Sequence, residues 1–326
     1  MIRTFRPALF TVLAVLFALA APVHAADRYP NRPIRIIISF PAGGSTDVLA
    51  RQLADTMGRD LGQTVIVDNR PGGGFNIAAE TAAKAAPDGY TVFMALDATF
   101  TLNPLIYSPL PYDPDRDFVP ISLVGFESNS IVASGKSPFK TFREMIAYAK
   151  ANPGKVTYGT SALLAELVGA ELTRVTGTDM VHVQYRGSPD MLQALLSGDI
   201  NISITGILPY ATYVPSGKLY ALASTGTKRV LLMPAAPTVV ELGYPTVEFR
   251  NWFALFAPAG TPSPIVATLR AEVTKALSDP DLRKHLLAAD LEPSAGTPAQ
   301  IGELIKRDRS HWAQIIKSTG IKLVGE

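Results

Sequence analysis

Residues 34–96 switch repeatedly between two hydrophobic periods, and this alternation restricts the fold more than any other feature of the chain. Ile34, Ile36, Ile37 and Ile38 lie in a short run that ends at Phe40, the pattern of a buried strand. A turn over residues 41–47 carries Gly43 and Gly44. Leu49, Leu53, Met57 and Leu61 then share one stripe, with Arg51, Gln52, Asp55 and Arg59 away from it, which predicts a helix. Ser45, Thr46 or Asp47 has the chemistry to cap its start. The unit repeats as a strand over 64–68, a glycine-rich turn over 69–74, a helix over 75–86 and a strand over 91–96. Strand, helix, strand, helix, strand implies parallel pairing and a sheet covered on both faces.

The alternation resumes after a segment rich in Pro and Asp at 104–120. Strands are expected at 119–126, 130–133, 156–158, 180–184, 200–205 and 219–224, and an extended run at 247–256. Helices are expected at 141–151, 163–175, 191–196, 264–277, 280–288 and 298–317. Thr141 with Glu144 three residues later has capping-box spacing. With 326 residues and 47% hydrophobic composition, two domains are expected. The chain therefore reads as two α/β lobes, each a mainly parallel sheet flanked by helices, joined by a two-strand hinge near 119–126 and 247–256. The first lobe takes residues 26–126 and, on the return, 249–326; the second takes 127–248.

The N-terminus reads as an export signal. Arg3 and Arg6 precede an apolar run over 8–21, and Pro22 leads to the small residue Ala25. Cleavage is expected after Ala25, with the mature chain in the periplasm. This run of fourteen residues, interrupted only by Thr11, falls short of the roughly 20 that span a bilayer. Removing Arg3 and Arg6 leaves 28 basic against 28 acidic residues, and no basic run marks a nucleic-acid face. The absence of cysteine excludes disulfides, thiolate metal sites and cysteine nucleophiles.

Both glycine-rich turns follow a strand and open a helix. The first turn of a helix leaves N–H groups unpaired, and aligned peptide dipoles place roughly half a positive charge there. Two such ends at one sheet edge form a site for a carboxylate or phosphate without a cation. Ser45, Thr46 and Asn76 add side-chain donors. The first loop lacks the lysine of a P-loop, neither loop is G-x-G-x-x-G, and residues 43–47 do not match G-x-S-x-G. His182 sits between Val181 and Val183 as a strand residue, and the histidines show no metal-ligand spacing. No metal, cofactor or catalytic residue is assigned, and the chain is not read as an enzyme.

Several motifs, in order, resemble the Bug-type receptors, the extracytoplasmic solute-binding proteins of tripartite tricarboxylate transporters. They are residues 33–37, 40–47 with Ala50 and Arg51, 67–72, 85–91, 110–114 with Asp117 and Phe118, 180–183 with 185–187, and 256–262. The resemblance implies a type II periplasmic-binding-protein fold and a ligand carboxylate held on Gly43, Gly44, Ser45, Thr46, Asp47, Gly73, Gly74, Asn76 and Thr99. It implies delivery to a membrane permease; presentation to a sensor protein is the alternative, and a hydrolase or transferase on the same scaffold a lesser one. A monomer binding a small carboxylate and no nucleic acid is expected. Phe40 and Phe75 are candidate walls, and Thr160, Ser161 and Thr205 candidate second-lobe contacts. The chain departs from the family in Phe75, in the short loop 160–162, and in Gly206, where members often carry an acid. With no acid facing the far end of the site, the ligand is expected to lack an ammonium group.

Overall fold

The computed structural model describes residues 29–320. The expected signal peptide, residues 1–25, lies outside the described residues. Among these, no helix is long and apolar enough to cross a membrane.

The first βαβαβ run folds as its periodicity predicts. Strands β1 (Ile34–Ile38), β2 (Val65–Asn69) and β3 (Thr91–Leu96) pair in parallel, with β1 in the middle. Helix α1 (Ser45–Leu61) buries Leu49, Leu53 and Met57 with Ala50 and Ala54. Each large apolar side chain buried in this way stabilises the fold by about 1.5–3 kcal/mol. Gly62, in the left-handed region at φ 64°, ends the helix and returns its N–H to the Gly58 carbonyl. The second helix is shorter than predicted. A 3₁₀ turn covers Gly73–Phe75, and α2 (Asn76–Ala83) follows.

Two short helices after β3, α3 (Ala98–Thr101) and α4 (Asn103–Ile106), show no period in the sequence and were not predicted. Strand β4 (Phe118–Ser128) belongs to the same sheet, and after Asn129 the chain enters β5 (Ser130–Ser134) of a second sheet. That sheet has the order β7-β6-β8-β5-β9, where β6 is Val156–Thr160, β7 Met180–Gln184, β8 Ile202–Thr205 and β9 Leu219–Ser224. Its helices are α5 (Phe142–Ala151), α6 (Leu163–Thr176) and α7 (Ser188–Ser197). The capping box of α5 forms as its spacing predicts, between Thr141 and Glu144.

The chain returns through β10 (Arg250–Pro258), which lies antiparallel between β3 and β4. Three residues tie the two crossings together. The Asn129 N–H donates to Thr225 Oγ1 (3.0 Å), the Thr225 N–H to the Asn129 carbonyl (2.9 Å), and the Phe249 N–H to the Thr225 carbonyl (2.8 Å). The C-terminal part, α8 (Ser263–Ala276), α9 (Pro280–Ala288), β11 (Leu291–Gly296) and α10 (Pro298–Thr319), packs against the first sheet. Strand β11 completes that sheet beside β4, giving the order β11-β4-β10-β3-β1-β2; it reads as a loop in the sequence because Pro293 interrupts it and Gly296 ends it. Three of the five pairings in this sheet and two of the four in the second are antiparallel, so both sheets are mixed and the expectation of mainly parallel sheets is corrected: the strands that enter from the crossings run against those of the strand–helix–strand units. Trp252 Nε1 donates to Asp308 Oδ2 (2.8 Å) and so anchors α10.

Candidate functional site

Parallel pairing of β1 with β2 and β3 carries all three strand ends, and the loops that leave them, to one edge of the first sheet. At the first loop, no side chain caps α1. The N-cap is Gly44, and the expectation of a cap from Ser45, Thr46 or Asp47 is corrected. The reason is that the helix starts at Ser45, so the cap position falls on Gly44, which has no side chain, while Asp47 lies in the first turn and is engaged elsewhere. One oxygen accepts from the Gly43 N–H (3.0 Å) and Arg51 Nε (2.9 Å), and the other from Asn69 Nδ2 (2.9 Å). Asn69 also donates to the Phe40 carbonyl (2.9 Å), so the end of β2 braces the end of β1. Burial alone would raise the Asp47 pKa. The bonds from Arg51, Asn69 and Gly43 outweigh it and hold the carboxyl below its ordinary value. Val48 makes the first intrahelical bond, to the Gly44 carbonyl. The N–H groups of Ser45, Thr46 and Asp47 therefore have no helical acceptor and crown the loop. Gly43 is exposed, Gly44 and Ser45 are half-buried, and Thr46 is buried.

The second loop stands beside the first. Gly73 and Gly74 are exposed and both have φ near 60°. Gly74 is doubly constrained, because a Cβ there would collide with the Tyr107 hydroxyl. Phe75 also takes positive φ (78°), a conformation that costs a non-glycine residue about 1–2 kcal/mol. Its ring packs 5.0 Å from that of Phe40, so the two aromatics form one wall shared by both loops. Asn103 Nδ2 donates to the Gly74 carbonyl (2.7 Å) and to Asn76 Oδ1 (2.7 Å). The Asn76 carbonyl oxygen is thus occupied. Thr99 is fully buried; its backbone carbonyl accepts from the Tyr112 hydroxyl (2.8 Å), while its own hydroxyl has no partner.

The second lobe offers Thr160, Ser161 and Thr205 at the carboxyl ends of β6 and β8. Thr160 is fully buried and bonds within its own sheet. Its hydroxyl lies 2.8 Å from His182 Nε2, and His182 Nδ1 lies 3.3 Å from Glu166 Oε1. His182 is therefore part of a hydroxyl–imidazole–carboxylate relay, an arrangement not anticipated for a strand residue. Ser161 and Thr205 are half-buried. Among the described residues, no group of three or more His, Cys, Asp or Glu is placed to hold a metal.

One residue links the two lobes at this edge. Glu127, near the end of β4 and 7% exposed, is approached by the Ser45 side chain from α1. Its Oε1 occupies the space where a Cβ at Gly206 would stand, just after β8. An acid does face the site, and the expectation drawn from Gly206 is corrected: the carboxyl comes from β4. Burial raises the Glu127 pKa to about 7, with Ser45 opposing the rise. Asp290 is also raised to about 7, by burial first and then by the charges of Glu127 and Glu292.

The model of the tripartite tricarboxylate transporter family receptor matches residues 49–321. Protein BugT of Bordetella pertussis is 36% identical over 321 residues, spanning 97% of this chain and 98% of its own. The chain belongs to the tripartite tricarboxylate transporter receptor family. Among solved structures, the periplasmic binding protein BugD has a TM-score of 0.82 at 31% identity, over 90% of this chain and 99% of its own. R. palustris Rpa4515 with adipate has a TM-score of 0.85 at 31% identity, over 91% and 100%. These receptors are periplasmic solute-binding proteins with a two-lobed α/β fold, and the receptor described here shares that fold.

Within the receptor, two of the residues that organise the loops lie outside the sequence motifs. Asn69, inside the motif at 67–72, braces the first turn, but Asn103 braces the second and Glu127 crosses between lobes with no motif to mark them. The His182 relay could have been found from strand parity. Tyr158 pairs with His182 and Thr160 with Gln184 in β6 and β7, which puts Thr160 and His182 on one face.

Proposed function

We propose that this receptor captures a small carboxylate between its lobes in the periplasm and presents it, closed, to the permease of a tripartite tricarboxylate-type transporter. The observation that carries the reading is the placement of two glycine-rich turns on adjacent parallel strands. The free N–H groups of Ser45, Thr46 and Asp47 stand at the same sheet edge as the turn at 73–76. In this reading a carboxylate docks on Gly43, Gly44, Ser45, Thr46, Gly73, Gly74 and Asn76, with Phe40 and Phe75 as its apolar wall. Asp47 and Thr99 shape the loops from behind, and Ser161 and Thr205 meet the ligand on closure. Thr160 orients the second-lobe edge through His182.

Residues 26–126 with 249–326, and residues 127–248, act as the two bodies. The crossing at Asn129, Thr225 and Phe249 is where they bend. Excluding water strengthens each charge-assisted bond as the local dielectric falls. The signal peptide is removed after Ala25 and the mature chain acts as a monomer; N-terminal sequencing and light scattering check both. The protein does no chemistry on its ligand. The Thr160 hydroxyl, the one set against an imidazole and a carboxylate, is fully buried and bonded to His182.

Calorimetry of ligand-free protein against adipate and a panel of mono-, di- and tricarboxylates tests the reading. Replacing Ser45 and Thr46 together by alanine removes two donors to a charged group. At about 1.5–3 kcal/mol for each such bond, affinity should fall at least tenfold. Absence of binding across the panel refutes the reading, and turnover of a bound carboxylate refutes the non-enzymatic part. Co-purification with a sensor ectodomain in place of a permease would assign the receptor to signalling.

A further inference from the structure

Glu127 is a buried carboxyl placed where the lobes meet, and nothing nearby neutralises it. Among the described residues, no lysine, arginine or histidine forms an ion pair with it. On β10 its register partner is Asn251, and on β11 it is Leu291. The nearest strand cation, Arg250, pairs with Ser128 and lies over the Phe126 ring, on the opposite face of the pleat. Arg250 is also committed to Glu292, 3.0 Å away. The charged group that does act on Glu127's surroundings is another acid, Asp290, the residue just before β11. From α1 it meets the Ser45 side chain, and from the loop after β8 only the bare backbone of Gly206. A Cβ there would displace the carboxyl from this position.

An ionised Glu127 would stand beside the N–H groups that the carboxylate reading assigns to the ligand, and would repel that ligand. A protonated Glu127 would instead add an O–H donor to them. We propose that Glu127 is a ligand-recognition residue whose carboxyl, in its acid form, donates a hydrogen bond to the carboxylate held beside Ser45, so that capture takes up a proton from water. The inference rests on the carboxylate reading. It sets the ligand class as carboxylates with no ammonium group at this end, since an ammonium would hold Glu127 ionised.

The pH dependence follows from linkage. Burial pushes the Glu127 carboxyl up to about 7, and a docked carboxylate raises it further. Binding is therefore strongest below pH 7, where the proton is already in place. It weakens by up to about tenfold per pH unit above pH 7, until the bound-state value is passed. Proton uptake on binding should be small well below pH 7 and approach one proton above it.

The test is calorimetry of the mature protein with adipate and with L-aspartate at both pH values, in buffers of different ionisation enthalpy. Native protein should take up close to one proton with adipate at pH 8 and bind it more weakly there than at pH 6. Glu127→Gln, which keeps a neutral donor, should lose both the uptake and the pH dependence. Gly206→Ala, which pushes the carboxyl aside from the opposite lobe, should lose the uptake with position 127 left intact. Adipate binding with no proton uptake in native protein overturns the proposal, as does uptake that persists in Glu127→Gln. L-aspartate binding that strengthens with pH and releases a proton overturns it as well. No heat with any carboxylate overturns the underlying reading, and this inference with it.

Discussion

Asp47→Ala should separate the architecture of the binding loop from the stability of the lobe. Asp47 is 4% exposed and accepts three hydrogen bonds. The bond from Arg51 joins a half-exposed guanidinium and contributes at most about 1 kcal/mol. The bonds from the Gly43 N–H and from Asn69 are less exposed to water, at about 1.5–3 kcal/mol each for a charged acceptor. Relief of the carboxylate's own burial offsets part of this, so the expected loss is about 2–4 kcal/mol. Urea unfolding followed by tryptophan fluorescence is the assay. Both tryptophans are fully buried, Trp252 in β10 of the first sheet and Trp312 in α10, which also packs on α6 of the second lobe, so the signal reports the first lobe and its seam with the second. The pH profile supplies an independent check. The folded pKa of Asp47 lies below its unfolded value of about 3.9, so the stabilisation is complete above that value. It is lost as pH falls through the lower, folded value, and the difference between native and variant should vanish there. A loss under about 0.5 kcal/mol at pH 7, or a difference that grows on acidification, would refute this account.

Three further substitutions probe the other supports. Asn103→Ala leaves the Gly74 carbonyl and Asn76 Oδ1 without their donor; a loss of about 1–3 kcal/mol is expected, with adipate affinity reduced, as measured by unfolding and calorimetry. Phe75→Gly relieves the positive-φ cost of about 1–2 kcal/mol but removes the ring packed on Phe40. Stability should therefore change by less than about 1 kcal/mol, and any affinity loss then belongs to the wall. Thr225→Val removes a hydroxyl that accepts from the Asn129 N–H and lies 2.7 Å from the Phe249 carbonyl. It should cost about 1–3 kcal/mol and speed amide exchange at residues 129 and 249.

Sequence periodicity located the site to the extent that the site is built from local structure. The β-branched run at Ile34–Ile38, the stripe through Leu49, Leu53 and Met57, and the glycines at 43–44 and 73–74 are short-range patterns, and each formed the element expected. Strand β11 escaped because Pro293 within it and Gly296 at its end are tolerated on a sheet edge paired on one side only. The short helices α3 and α4 escaped because four residues show no period. The supposed caps failed for a different reason. Asp47 has the right chemistry for an N-cap, but the helix begins two residues before it, at Ser45, with Gly44 at the cap position; one Asp47 oxygen takes the Gly43 N–H and the other a bond from Asn69, 22 residues away, which no local rule records.

Glu127 shows the same limit at the level of function. Inspection of position 206 alone finds glycine and predicts a site without an acid. Packing reverses the inference, because the absent side chain at 206 leaves room for a carboxyl reaching across from β4. A charge near a ligand belongs to a volume of space, and any strand that borders that volume can supply it. The fold brings β4 to the border because this strand leads directly into the second sheet, one residue beyond its end. A side chain at that junction touches both lobes at once. Its ionisation should therefore respond to closure as well as to the ligand, and the proton uptake of Glu127 should diminish in a variant such as Thr225→Val if loosening the crossing holds the lobes apart.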